Sequence, residues 1–249
     1  MIDIKAKVVR NVALSSRTYM MELLAPQMIP LIRAGHFVMV KVSKTNDPSG
    51  RRAFAVGDVK DDSLFIFYDV VGKGTRLLSD LHGGDHVELF GPLGKGIFSL
   101  EGEKHLLIGG GIGLAGLTLL GKDLRKRGKR VLFVYGGKGK EHLSMKGWLE
   151  EEGFEHILYT EDGSLGRRGL VVDALKEFDS SWTISACGPR GMLKALKDLT
   201  GSQRLYISLE SRMACGWGVC LGCVVKSREG HYVRVCYEGP VFRADEVCL

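Results

Sequence analysis

Three cysteines crowd one short loop near the end of the chain, Met213-Ala214-Cys215-Gly216-Trp217-Gly218-Val219-Cys220-Leu221-Gly222-Cys223, and a fourth follows at Cys236. The spacing C-x4-C-x2-C-x12-C is one that holds a [2Fe–2S] cluster through four thiolates. The interleaved glycines suit that reading. A loop wrapped round a cluster must turn sharply and bring backbone N–H groups close to sulfide. Zinc is the competing occupant, but structural zinc ordinarily takes two C-x2-C knuckles and the loop contains one. An iron–sulfur cluster moves single electrons and cannot accept hydride. The rest of the chain is therefore read for what exchanges electrons with it.

The 249 residues suggest two or three modules, and 45% hydrophobic residues are enough to give each a packed core. The net charge of +6 owes much to the basic run at 122–130. That run reads as the solvated end of a helix, and without aromatic interleaving or a known binding module it does not point to nucleic acid. Met1-Ile2-Asp3-Ile4-Lys5 has no apolar leader core, and no apolar run is long enough to span a membrane. A cytoplasmic protein is expected, in a reducing compartment where thiolates persist as ligands. Cys187 and Cys248 are left over.

Residues 1–100 read as short strands at 6–12, 19–24, 37–42, 53–58, 64–71 and 86–90, with one helix at 75–81, which suggests a small antiparallel barrel. Arg51-Arg52-Ala53-Phe54-Ala55 brings an arginine pair into a strand. Val71-Gly72-Lys73-Gly74-Thr75-Arg76 is a glycine-flanked cationic turn of the kind that receives a diphosphate. The glycine turn at 91–96 ends the barrel.

Residues 101–205 change to strand, glycine loop and helix, the pattern of an α/β domain with a parallel sheet. A strand at 105–108 enters Gly109-Gly110-Gly111-Ile112-Gly113-Leu114-Ala115-Gly116, where Gly111, Gly113 and Gly116 satisfy G-x-G-x-x-G ahead of a helix at 117–126. The next strand, 130–135, ends in Gly136-Gly137-Lys138 rather than in a carboxylate for a ribose 2′-OH. A standard dinucleotide site is thus not established, and another nucleotide mode stays open. Helices at 142–151 and 171–178 and strands at 155–160 and 182–186 follow. The last strand ends in Cys187-Gly188-Pro189, where Cys187 is either a small buried hydrophobe or part of the site. Loops 109–116, 136–138, 160–163 and 187–189 should line one crevice at the carboxyl ends of the strands. Residues 206–249, with a hairpin at 224–226 and 231–236, are too few to bury much core, so the cluster should tie them together.

A nicotinamide gives up two electrons as hydride, whereas the cluster takes one. A flavin can exchange with both, and the barrel with its diphosphate turn is its natural place. No acid–base pair or nucleophile for an organic substrate is evident, so no catalytic residue is assigned and a partner subunit is expected.

Along essentially its whole length the chain resembles the electron-transfer subunits of class B dihydroorotate dehydrogenase. The resemblance is carried by Val70-Val71-Gly72-Lys73-Gly74-Thr75, Gly91-Pro92-Leu93-Gly94, the 109–113 loop, Tyr135-Gly136-Gly137, Asp162-Gly163-Ser164 and Cys187-Gly188-Pro189. Most specific are the cysteine loop and Glu238-Gly239-Pro240-Val241-Phe242 after Cys236. The resemblance implies an FAD barrel at 1–100, an NAD domain at 101–205 and a [2Fe–2S] domain at 206–249. It implies Cys215, Cys220, Cys223 and Cys236 as cluster ligands. Arg52, Ala53, Phe54, Ala55, Asp69, Val70, Val71, Gly74 and Thr75 are implied at FAD. Gly109, Gly110, Gly111, Gly113, Cys187, Gly188 and Pro189 are implied on the nucleotide side. It further implies a cytoplasmic heterotetramer with two FMN-containing catalytic subunits, passing electrons from dihydroorotate through FMN, cluster and FAD to diffusible NAD+ in pyrimidine biosynthesis.

Two departures stand out. The family's Arg-Pro-x-Ser is Arg52-Ala53-Phe54-Ala55 here, so Ala55 lacks the hydroxyl expected near the flavin, and Gly116 replaces a loop proline. The alternatives are the small subunit of an NADH-dependent ferredoxin:NADP oxidoreductase or sulfide dehydrogenase, in which one ligand is typically aspartate, and a zinc-stabilised nucleotide-binding module.

Overall fold

The computed structural model describes residues 1–43, 45–201 and 204–249. Strands β1 (Ile2–Ala13), β2 (Thr18–Leu24), β3 (Phe37–Lys41), β4 (Arg51–Ala55), β5 (Asp58–Lys60), β6 (Ser63–Asp69) and β7 (His86–Leu93) make one antiparallel sheet in the order β4-β3-β7-β1-β2-β6-β5. The sheet curls on itself. The Phe54 ring on β4 meets the Tyr68 ring on β6 edge-on at 5.8 Å. Helix α1 (Lys73–Ser79) follows β6, and Asn11 of β1 donates to the carbonyls of Leu78 in its last turn and Leu81 just beyond.

Strands β8 (Lys104–Gly110), β9 (Arg130–Gly137), β10 (His156–Thr160), β11 (Arg167–Arg168), β12 (Trp182–Cys187) and β13 (Leu205–Ser208) build a parallel sheet, with helices α2 (Ala115–Lys126), α3 (Lys146–Glu151) and α4 (Arg190–Thr200) along it. With β16 (Val241–Arg243) at one edge, the order is β11-β10-β9-β8-β12-β13-β16, so the winding direction reverses between β8 and β12. The carboxyl ends of those two strands meet there, with Gly109 opposite Cys187. After β13 come the hairpin β14 (Val224–Lys226) and β15 (Tyr232–Arg234), then β16 (Val241–Arg243), which pairs antiparallel with β13.

The two sheets share a continuous core. Phe67, on the opposite face of its strand from Ile66 and Tyr68, reaches Trp148 of α3 at 6.4 Å, and Trp148 in turn packs on Phe133 and Phe154. Lys122 of α2 bonds Asp58 of β5 at 2.7 Å and Glu152 at 3.0 Å, a largely buried pair across the same seam. Arg125 and Lys129 pair with Glu152 and Glu103, so much of the basic run is satisfied within the chain. Among the described residues no helix is long and apolar enough to cross a membrane.

Several elements differ from the sequence reading. The single strand expected at 53–58 is broken into β4 and β5 at Val56-Gly57, where a Cβ on Gly57 would lie 2.5 Å from the Phe67 ring. The strand expected to end at residue 90 continues to Leu93, leaving a shorter turn. The helix expected at 142–151 is a 3-10 turn at Lys140–His142, a break, and α3. The helix expected at 171–178 is a 3-10 helix, Val171–Glu177. Strands β13 and β16 carried no clear periodicity, and they form because each completes the other's edge.

Candidate functional site: a cavity beside a cysteine loop

A cavity of about 670 Å³ opens between the barrel and the parallel sheet, within the usual range for a cofactor site. From the barrel, Arg52, Ala53, Phe54, Ala55, Asp69, Val71 and Thr75 line it, joined by Gly35, His36, Phe37, Phe67 and Tyr68. From the other side come Ile112, Ala115, Gly116 and Cys187, and the segment Ser208–Met213 closes it.

Arg52 and the glycine turn converge. A Cβ on Gly74 would lie 3.3 Å from Arg52 Nε, so the bare backbone of residue 74 lets the guanidinium lie close against the turn. Arg52 is held there by donating to the carbonyls of Ser49 at 3.0 Å and Gly50 at 3.3 Å. Thr75 Oγ1 accepts the N–H groups of Val71 and Gly72 at 2.9 and 3.2 Å, which shapes the turn from within. Asp69 Oδ1 accepts from the Thr18 hydroxyl at 2.6 Å, and Oδ2 pairs with Arg17 at 2.7 Å. Val70 packs against the core, half-buried, outside the cavity wall. Tyr68 stacks on Tyr19 at 5.7 Å and donates to Asn11 at 3.0 Å, and burial pushes its phenol well up.

Gly109, Gly110, Gly111, Gly113, Gly188 and Pro189 do not line this cavity. Instead the two loops interlock at the switch point. A Cβ on Gly113 would lie 2.6 Å from the Cys187 carbonyl oxygen, and one on Gly110 would lie 2.8 Å from Pro189 Cδ. The glycines at these positions therefore serve close loop packing, while Gly111, at φ +53°, has open space about it. No carboxylate ends β9, but two stand close beyond it. Asp162, beyond β10, and Glu141 crowd Gly139, where a Cβ would lie 2.7 Å from an oxygen of each. Asp162 Oδ1 accepts from the Ser164 hydroxyl and N–H at 2.7 and 2.9 Å, which holds its carboxyl below the usual range.

Glu210 was not picked out by sequence. It opens onto the cavity with its Oε1 4.0 Å from Cys187 Sγ. Enclosure by protein, and then the charge of Asp69, raises its carboxyl above the ordinary value. Burial pushes the Cys187 thiol well up, with Glu210 adding to the effect, which keeps it protonated. The only hint in the chain was the place of Glu210 just ahead of the cysteine loop.

The four cysteines lie as two neighbouring pairs, Cys215 with Cys220 and Cys223 with Cys236, and Cys223 Sγ accepts the Cys236 N–H at 3.4 Å. Burial would raise the Cys215 thiol, but N–H groups of Cys220, Trp217 and Val219 outweigh it and bring it to about 6. Burial and the neighbouring Cys223 push Cys236 up to about 12. Four cysteines with N–H groups aimed at sulfur have the donor chemistry of a [2Fe–2S] site, although among the described residues no three such side chains stand grouped round a metal position. Cys223 and Cys236 are buried, whereas Cys220 is exposed, so one edge of the group faces solvent.

Loop and cavity share a wall. Met213 lines the cavity two residues before Cys215. Lys95 N–H donates to the Tyr237 carbonyl and Gly96 N–H to that of Gly239, both at 2.9 Å, mounting the Cys236 turn on the end of the barrel.

An antiparallel barrel docked on a parallel sheet, with paired thiols at the seam, defines an electron carrier of the ferredoxin-reductase type. A solved structure described as an NADH-dependent reduced ferredoxin-NADP oxidoreductase superposes with a TM-score of 0.86 at 28% identity, covering 98% of this chain and 89% of that one. A ferredoxin NADP+ reductase from Neisseria gonorrhoeae, with bound FAD and NADP, shares the fold at TM-score 0.64 and 16% identity, covering 79% of this chain and 89% of that one. Residues 210–248 match the family model "Iron-sulfur cluster binding domain of dihydroorotate dehydrogenase B". An Aquifex aeolicus protein described as a dihydroorotate dehydrogenase B (NAD(+)) electron transfer subunit homolog is 54% identical over 248 residues, 99% of each chain. The electron transfer subunit of that enzyme from Bacillus caldolyticus is 41% identical over 95% of each chain. The chain belongs to the family of dihydroorotate dehydrogenase B electron transfer subunits.

Proposed function

We propose that this chain passes electrons from dihydroorotate oxidation on an FMN-containing partner through a [2Fe–2S] group at Cys215, Cys220, Cys223 and Cys236 and an FAD in the cavity to NAD+. The observation that carries the reading is the common wall between cavity and cysteine loop at Met213. FAD, when bound, supplies the exchange between single electrons and hydride. Arg52 and the 72–75 turn would receive its diphosphate, Phe54 and Tyr68 would contact its rings, and the cysteine loop would lie beside it. NAD would enter along the carboxyl ends of β8, β9, β10 and β12, with the carboxylates of Asp162 and Glu141 favouring a ribose hydroxyl over a phosphate. Gly109–Gly113 and Cys187–Pro189 would shape that crevice.

The partner would dock where Cys220 is exposed. Trp217, Val219 and Leu221 in the loop and Tyr232 on the hairpin all present apolar surface to solvent. A cytoplasmic assembly of two such chains with two catalytic subunits, serving pyrimidine biosynthesis, follows from this reading. The structural likeness to the ferredoxin-NADP oxidoreductase favours a second reading with the same cofactors and a different partner. Four cysteines weigh against that reading. Co-purification decides between them: dihydroorotate-dependent NADH formation by the complex supports the first. A complex active with NADPH and ferredoxin but inert to dihydroorotate selects the second.

A further inference from the structure

We propose that Arg234 is the positioning residue that holds the two ligand-bearing segments of the cysteine site in register. The inference rests on the reading of the four cysteines as cluster ligands. Those ligands come from two separate pieces of chain, the 215–223 loop and the turn that carries Cys236. Something must fix one against the other before metal arrives.

At the Cys223 end the two pieces are joined by main chain. Val235 N–H donates to the Cys223 carbonyl at 3.1 Å, and Cys236 N–H to Cys223 Sγ. At the other end, between Cys215 and Cys220, a side chain adds to the bond from the Gly218 N–H to the Cys236 sulfur. Arg234 Nη1 donates to the Gly218 carbonyl at 2.9 Å. Gly218 sits at φ +93°, with space for a Cβ limited by Tyr237 at 3.0 Å, so the loop approaches the turn closely at this point.

The guanidinium is aimed by the same turn that it serves. Its Nε lies 3.2 and 3.1 Å from the two Glu238 carboxylate oxygens, and Nη2 bonds Oε1 as well. Arg234 N–H donates to Glu238 Oε2 at 2.7 Å, while its carbonyl accepts from Tyr237, Glu238 and Gly239. The turn around Cys236 is thus built on Arg234, which also lies 4.5 Å from the Tyr237 ring. Lys95 of the barrel lies over that ring at 4.1 Å and donates to its hydroxyl at 2.8 Å, extending the tie to the first sheet.

Glu238 neutralises the guanidinium, so the role is geometric rather than a matter of net charge. A fork is required to grip a carboxylate and a carbonyl together, and an ammonium offers a single point.

The test uses the full-length, flavin-loaded chain. Iron and acid-labile sulfide per chain are measured, then the rate at which visible cluster absorbance is lost to an iron chelator, with bound flavin as the internal measure of folding. Arg234→Gln is expected to lose cluster at least about tenfold faster than wild type with flavin unchanged, in keeping with other outer-shell partners of metal ligands. Arg234→Lys is expected to do no better. A wild-type rate in Arg234→Gln overturns the proposal, and so does full rescue by lysine, which would make charge the determinant. If Arg234→Gln also loses flavin, Glu238→Ala frees the same fork with the arginine in place, and an unchanged rate there overturns it equally. A wild-type chain that takes up no iron overturns the ligand reading itself, a failure separate from the others.

Discussion

Met39 on the barrel packs against Gly216 in the cysteine loop so closely that a Cβ on Gly216 would lie 2.6 Å from Met39 Cγ. Across the sheet Met39 pairs with Ala53, and Ala53 lines the cavity. One pair of strands therefore separates the cavity from the residue that follows Cys215. The cysteine loop gains its short approach to the cavity from a missing side chain.

Gly216→Ala tests that contact. Gly216 is at φ +78°, where an alanine is strained by about 1 kcal/mol or more even before it meets Met39. The variant is expected to hold less than half the wild-type iron per chain while keeping its flavin. Adding Met39→Ala relieves the clash but not the backbone strain, so recovery should be partial. Full iron content in Gly216→Ala would show that the loop approaches the barrel less closely than described.

Arg52→Ala removes the cation held against the 72–75 turn. Loss of a charge-assisted hydrogen bond to an anionic group costs roughly 1.5–3 kcal/mol, so FAD should bind about ten- to a hundred-fold more weakly. Flavin fluorescence on dilution reads this directly. An unchanged dissociation constant would remove Arg52 from the diphosphate site.

Asp162→Ser exchanges a carboxylate beside Gly139 for a neutral hydroxyl. A phosphate near two carboxylates is repelled, and removing one should raise kcat/KM for NADPH, measured with an artificial acceptor, about tenfold or more. The value for NADH should fall only modestly. A ratio of NADH to NADPH use that does not move would place the ribose elsewhere.

Glu210→Gln carries a pH signature. The folded-state pKa of Glu210 is raised above 4.5 by enclosure and by Asp69, so the native chain keeps a proton that the unfolded chain has released. Stability from that proton is present at low pH and lost as pH rises through the raised value. Glutamine, being neutral throughout, should therefore raise the melting temperature relative to wild type at about pH 9, and the difference should vanish below the unfolded value of 4.5. Equal differences at both pH values would mean that Glu210 titrates normally.

Much of the chain was legible locally. The cysteine spacing, the alternation through Leu64-Phe65-Ile66-Phe67-Tyr68, and the strand–glycine–helix run at 105–126 each lie in one contiguous stretch. Their signals are short-range chemistry and periodicity. The helices at 142–151 and 171–178 were misread because apolar spacing alone does not separate an α-helix from a 3-10 turn held by tertiary packing. Strand β16 carried no usable period because it is a three-residue edge strand, stabilised by β13 rather than by its own sequence.

The sequence by itself determined which cysteines share one ligand spacing, which turns could accept an anion, and that no residues for organic-substrate chemistry stand out. These follow from residue types at close spacing, which no folding can alter. Only the tertiary structure decided that Asp162 stands beside Gly139 just past β9, that Glu210 meets Cys187, and that Arg234 reaches Gly218. Each of those contacts joins separate segments of the chain. Strand order and close glycine packing bring them together, and neither is written in any single stretch of sequence.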